Sequence, residues 1–88
     1  MDANYVIKLR NDVLQFGMNH REELHDVLYL ETPYKHGTVE IYGCNIFGDI
    51  MGVDSDGTEV TVYYFDVGAS AWNRFFTDLY QKYCRNSH

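Results

Sequence analysis

The chain has 88 residues, 45% of them hydrophobic and 23% charged, and a formal net charge of −6. That length allows one domain spanning residues 1–88 and excludes a nucleotide-binding α/β enzyme of ordinary size; the composition is that of a globular chain rather than a disordered one. No uncharged stretch is longer than residues 41–48, far short of the roughly 20 apolar residues that cross a bilayer.

Residues 1–8 lack a basic region followed by an apolar run, so no export signal is expected. A cytoplasmic setting follows as an expectation, with Cys44 and Cys84 as free thiols. Val6, Leu9, Val13 and Phe16 repeat at 3-4-3 spacing and predict a first helix over the opening sixteen residues. Asp2 or Asn4 would cap it, Gly17 would end it in a left-handed conformation, and Lys8, Arg10 and Asp12 would face solvent. Residues 18–31 read two ways. Asn19 with Glu22 resembles a capping box and favours a short helix, whereas the alternation through Val27-Leu28-Tyr29-Leu30 favours a strand. The preferred reading is a polar turn or helical half-turn at 19–23 and a strand at about 25–31.

The Pro and Gly of residues 32–37 predict a hairpin loop. Val39 and Ile41 alternate with Glu40 and Tyr42, as in a half-buried strand. Glycines through 43–52 predict a bend or bulge near Gly43 or Gly48. Asp54-Ser55-Asp56-Gly57 is a turn signal, and Val60, Val62 and Tyr64 alternate with Thr61, Tyr63 and Phe65 to predict another strand. Ser70 then caps a final helix whose apolar face runs Trp72, Phe75, Phe76, Leu79, Tyr80, Tyr83 and Cys84. The fold class is therefore α+β, in the order α-β-β(-β)-α. It is a three- or four-stranded antiparallel sheet with two helices packed on one face.

Charge is unevenly placed. Residues 22–66 hold ten acids and a single base, Lys35, for a net of −9; residues 1–21 carry +1 and residues 67–88 carry +2. With helices on one face, Glu40, Tyr42, Thr61 and Tyr63 would lie on the other, near the acidic turn of Asp54, Asp56 and Glu59. Such a surface suits a basic protein partner, since tyrosines anchor interfaces and complementary charge speeds association. It repels nucleic acid. The commoner reading of surface acids is that they keep a small protein soluble and guard its sheet edges.

Catalytic and metal motifs are weaker. Asp54-x-Asp56-Gly57-x-Glu59 spaces oxygens as a calcium loop does, but the twelfth position is Phe65 rather than a bidentate Glu, so a hairpin turn is preferred. His20 and His25 are five residues apart, not the four a zinc helix needs, and Glu22-x-x-His25 is half of a di-iron motif. No glycine pattern matches a dinucleotide or phosphate loop. The expectation is a chain that is not an enzyme, with no cofactor, metal site or membrane segment.

The leading function reading is a non-catalytic protein-binding module of the inhibitor, immunity-protein or nucleic-acid-mimic type. It would use Glu40, Tyr42, Asp54, Asp56, Glu59 and Tyr63 to dock on a basic partner, such as a nucleic-acid enzyme. The alternative is a small structural or oligomeric subunit in which Trp72, Tyr80 and Tyr83 bury against a second copy, giving a homodimer.

Overall fold

The computed structural model describes the backbone of residues 3–85, and the side chains of these residues other than 3, 4 and 64–67. In chain order the elements are α1 (Ala3–Asn19), α2 (Arg21–Leu24), β1 (Val27–His36), β2 (Val39–Asn45), β3 (Ile50–Val53), β4 (Glu59–Val62) and α3 (Tyr64–Tyr83). The strands form one open antiparallel sheet in the order β1-β2-β3-β4. The fold is α+β.

One row of side chains shows how the sheet meets the helices. Leu28 pairs with Cys44, Cys44 with Ile50, and Ile50 with Val62, so one residue from each strand lines up across the sheet. All four are buried, and they share a core with Val6 and Val13 of α1 and Phe75, Phe76 and Leu79 of α3. Fully burying an aliphatic side chain of this size contributes about 1.5–3 kcal/mol. The apolar stripe of α3 is used within the chain itself. Phe75, Phe76 and Leu79 have no exposed surface, while Trp72, Tyr80, Tyr83 and Cys84 pack partly buried against the same core.

Alternation is broken in β2. Ile41 lies opposite Gly52 and Gly43 opposite Met51, which leaves Tyr42 as the extra residue of a β-bulge. The inward side of β2 therefore runs Val39, Ile41, Cys44 instead of every second residue. Glycine is required here because a Cβ on Gly43 would strike the carbonyl oxygen of Leu28 in β1.

Several sequence expectations are corrected. Gly17 does not end α1. It is buried inside the helix, where a Cβ would come within 2.8 Å of Leu28 Cδ1, so it is a close-packing glycine. Asn4 lies within α1, which is already helical at Ala3, and the alternative cap Asp2 is outside the described residues. Between α2 and β1 the chain turns through two left-handed residues, His25 (φ 54°) and Asp26 (φ 66°), so the strand begins at Val27. Arg21 clasps Asp26 with contacts of 2.8 and 3.3 Å across this turn.

Residues 32–36 belong to β1 and the hairpin turn is confined to Gly37 and Thr38. Pro33 is tolerated because the β1–β2 ladder is interrupted between Tyr29 and Tyr34, where no N–H is needed for pairing. The last strand stops at Val62 because its neighbour β3 offers only four residues to pair with. Tyr64 is already helical, and α3 is kinked at Gly68 (φ 82°, ψ 168°) ahead of Ser70.

Candidate functional site

The uncovered sheet face carries most of the residues expected of a docking surface. Tyr29 and Tyr42 stack there with ring centroids 5.6 Å apart, and the Tyr42 hydroxyl donates to Glu59 Oε1 at 3.1 Å. Burial, with the Glu59 hydrogen bond second, raises the Tyr42 hydroxyl above its ordinary pKa, so it remains a donor. Glu40 pairs in register with Val53, which itself pairs with Glu59, so the two carboxylates stand two strands apart on one line. Lys35 lies opposite Glu40 on β1. Tyr29 is half-exposed and was absent from the expected site. Its signal was the in-out-in pattern of Leu28-Tyr29-Leu30.

Tyr29 is also held from behind. Its backbone N–H donates to the Tyr83 hydroxyl at 2.9 Å, and that hydroxyl reaches back to the Tyr29 carbonyl at 3.1 Å. Lys82 Nζ donates to the same carbonyl at 2.8 Å. The last turn of α3 thus satisfies one residue on the free edge of β1 and fixes the tyrosine pair in place.

The acidic hairpin tip is internally committed. Asp54 Oδ1 accepts from Thr38 Oγ1 at 3.0 Å and from the Ser55 N–H at 2.8 Å; Asp56 Oδ1 accepts from the Thr58 N–H at 3.0 Å. The hydrogen bonds from Thr58 lower the Asp56 pKa. Gly57 takes φ 87° and donates to the Asp54 carbonyl, completing the turn. These carboxylates shape the β3–β4 connection and add negative potential at the end of the open face. Tyr63 is separated from the group: it follows the end of β4 and lines a groove with Ile7, Arg10 and Trp72. The structure therefore brings Glu40, Tyr42 and Glu59 together, adds Tyr29, and places Tyr63 elsewhere.

Neither thiol is poised for chemistry. Burial pushes the Cys44 thiol from an ordinary value of 9.0 up to about 12, and Cys84 is raised by burial as well. A thiol so protonated is a poor nucleophile and metal ligand near neutral pH. Because folding raises the Cys44 pKa, its contribution to stability is intact below pH 9 and is lost as pH climbs from 9 toward 12. Urea midpoints measured up that range are expected to fall more steeply for the native protein than for Cys44→Ala. His20 stacks on Phe16 at 4.0 Å and its Nδ1 contacts the Phe16 carbonyl, so it is a helix-end packing group. Among the described residues no three His, Cys, Asp or Glu side chains are grouped to hold a metal ion, and no helix is long and apolar enough to cross a membrane. No family model matches the chain, and no curated protein or solved structure matches it.

Proposed function

We propose that this protein is a non-catalytic binding module that docks the open face of its sheet on a basic protein partner. The observation that carries the reading is the stacked Tyr29–Tyr42 pair flanked by Glu40 and Glu59 on a face that no helix covers. Two rings stacked in the free protein, one of them held by its hydroxyl and the other by its backbone, lose little rotamer entropy on binding, which favours tyrosine as an anchor. The carboxylates, with the Asp54–Asp56 tip beside them, attract lysine and arginine and raise the association rate. A nucleic-acid enzyme, with its phosphate-binding surface of positive sign, fits that description, and inhibition is the effect such docking would have.

The test compares two charge reversals that change net charge equally. Glu40→Lys with Glu59→Lys alters the open face; Glu22→Lys with Glu23→Lys alters exposed acids on α2. Purified basic proteins first captured from lysate on the immobilised chain are then titrated against all three proteins. The face variant is expected to bind at least tenfold more weakly, the α2 variant within about twofold of native, and salt to release the complex as the Debye length shrinks from about 10 Å at 0.1 M. Equal weakening by both pairs, or by neither, overturns the reading.

A further inference from the structure

We infer that the groove between α1, the 45–49 turn and the end of β4 is a binding site for a small apolar monocarboxylate, with Arg10 as its anion receptor. The groove is open to solvent and has a volume of about 470 Å³, within the range of small-molecule sites. Ile7, Ile50, Val62, Trp72 and Tyr63 supply its apolar and aromatic walls, with Ile7 and Tyr63 about half exposed at the rim (46% and 57%). Sequence spacing predicts a solvent-facing Arg10. Instead the side chain is half-buried and lies along the groove, with its guanidinium against Gly48.

The state of that guanidinium identifies the ligand. Arginine has five N–H donors in a planar fork suited to a carboxylate. Among the described residues Arg10 makes no ion pair. Its hydrogen bond to the Phe47 carbonyl is long, at 3.5 Å, and it also lies over the Phe76 ring, whose centroid is 5.7 Å away. A half-buried cation with most of its donors unused among the described residues, lining a groove with apolar walls, matches an anion attached to a ring or a branched chain.

The wall it leans on is built in advance. Asn45 Oδ1 accepts from the N–H groups of Phe47 and Asp49, both at 3.0 Å, and its Nδ2 donates to Asp49 Oδ2 at 3.1 Å. This turn holds Gly48 at φ 91°, and any Cβ there would collide with the Arg10 guanidinium. The same turn sets the charge limit. Asp49 also lines the groove, so the site favours one negative charge and disfavours a phosphate dianion.

The experiment is an amide-resolved NMR titration of the native chain with phenylacetate and indole-3-acetate, each against its neutral amide. Shifts are expected at Gly48, Asp49, Ile50 and residues 61–63, with each acid binding roughly tenfold more tightly than its amide. Arg10→Gln is expected to erase the difference between acid and amide while leaving weak binding of the ring. Equal binding of acid and amide by the native protein, shifts centred elsewhere, or no shifts up to about 10 mM ligand would each overturn the assignment. The native-protein comparison stands by itself if Arg10→Gln fails to fold.

Discussion

Phe75→Ala is expected to cost about 3–5 kcal/mol, the range for emptying an aromatic site in a packed core. A domain of this size holds only about 4–13 kcal/mol in total, so the variant should be largely unfolded or should melt at much lower urea. Phe75 has no exposed surface and meets Phe76 edge-to-face at 4.9 Å and 86°. Removing it strips both the ring contact and the packing between α3 and the sheet. The matched control is Phe47→Ala. Phe47 is 69% exposed, so its loss should shift stability by no more than about 0.5 kcal/mol. Urea unfolding of the two variants, followed by far-UV and near-UV circular dichroism, checks the pair. Similar costs at both positions would contradict the core described above.

Gly43→Ala should be the most damaging single-methyl change, at about 3 kcal/mol or more. The added Cβ meets backbone, the Leu28 carbonyl and the Tyr29 Cα, which cannot rotate away as a side chain can. β1 must then separate from β2 at the centre of their pairing. Gly37→Ala isolates the other reason for a glycine. Gly37 takes φ 64°, and a Cβ there would meet nothing within 4 Å, so the cost is the left-handed backbone alone, about 1–2 kcal/mol. Hydrogen exchange adds a positional readout: Gly43→Ala should lose protection in β1 and β2, and Gly37→Ala only near its turn.

What the sequence revealed follows from which forces are local. The α3 stripe and the helical part of α1 were legible because burial at 3-4 spacing leaves a direct imprint. The Asp54–Gly57 turn was legible because Gly57 needs a positive φ and the aspartates bond to nearby backbone N–H groups. Gly17 was misread because a glycine at a helix end and a glycine under a crossing leucine look alike until Leu28 is placed. The extent of β4 was misread because alternation continues through Phe65, while strand length is set by the four residues β3 has to offer. Of the candidate site, Glu40, Tyr42 and Glu59 could be read from alternation and charge. Tyr29 joins them only through tertiary register, and Tyr63 leaves them because its strand has ended. Arg10 could not be assigned from periodicity. Its long side chain turns toward Gly48, a contact 38 residues along the chain.

The extra residue in β2 has a consequence for how this surface can vary. It acts as a phase shift in the strand's inside-outside rhythm: before it, odd-numbered positions point inward, and after it Cys44 does. Substituting Tyr42 alters one side chain, whereas deleting it would remove the bulge and restore strict alternation, with Ile41 and Cys44 both still facing the core and Asn45 still outward. This is therefore a position at which the strand can lose a residue without turning its downstream side chains to the other face. Homologous chains that keep this sheet can therefore differ by loss of the residue between Ile41 and Gly43 as well as by exchange of side chains, with Ile41 and Cys44 still inward.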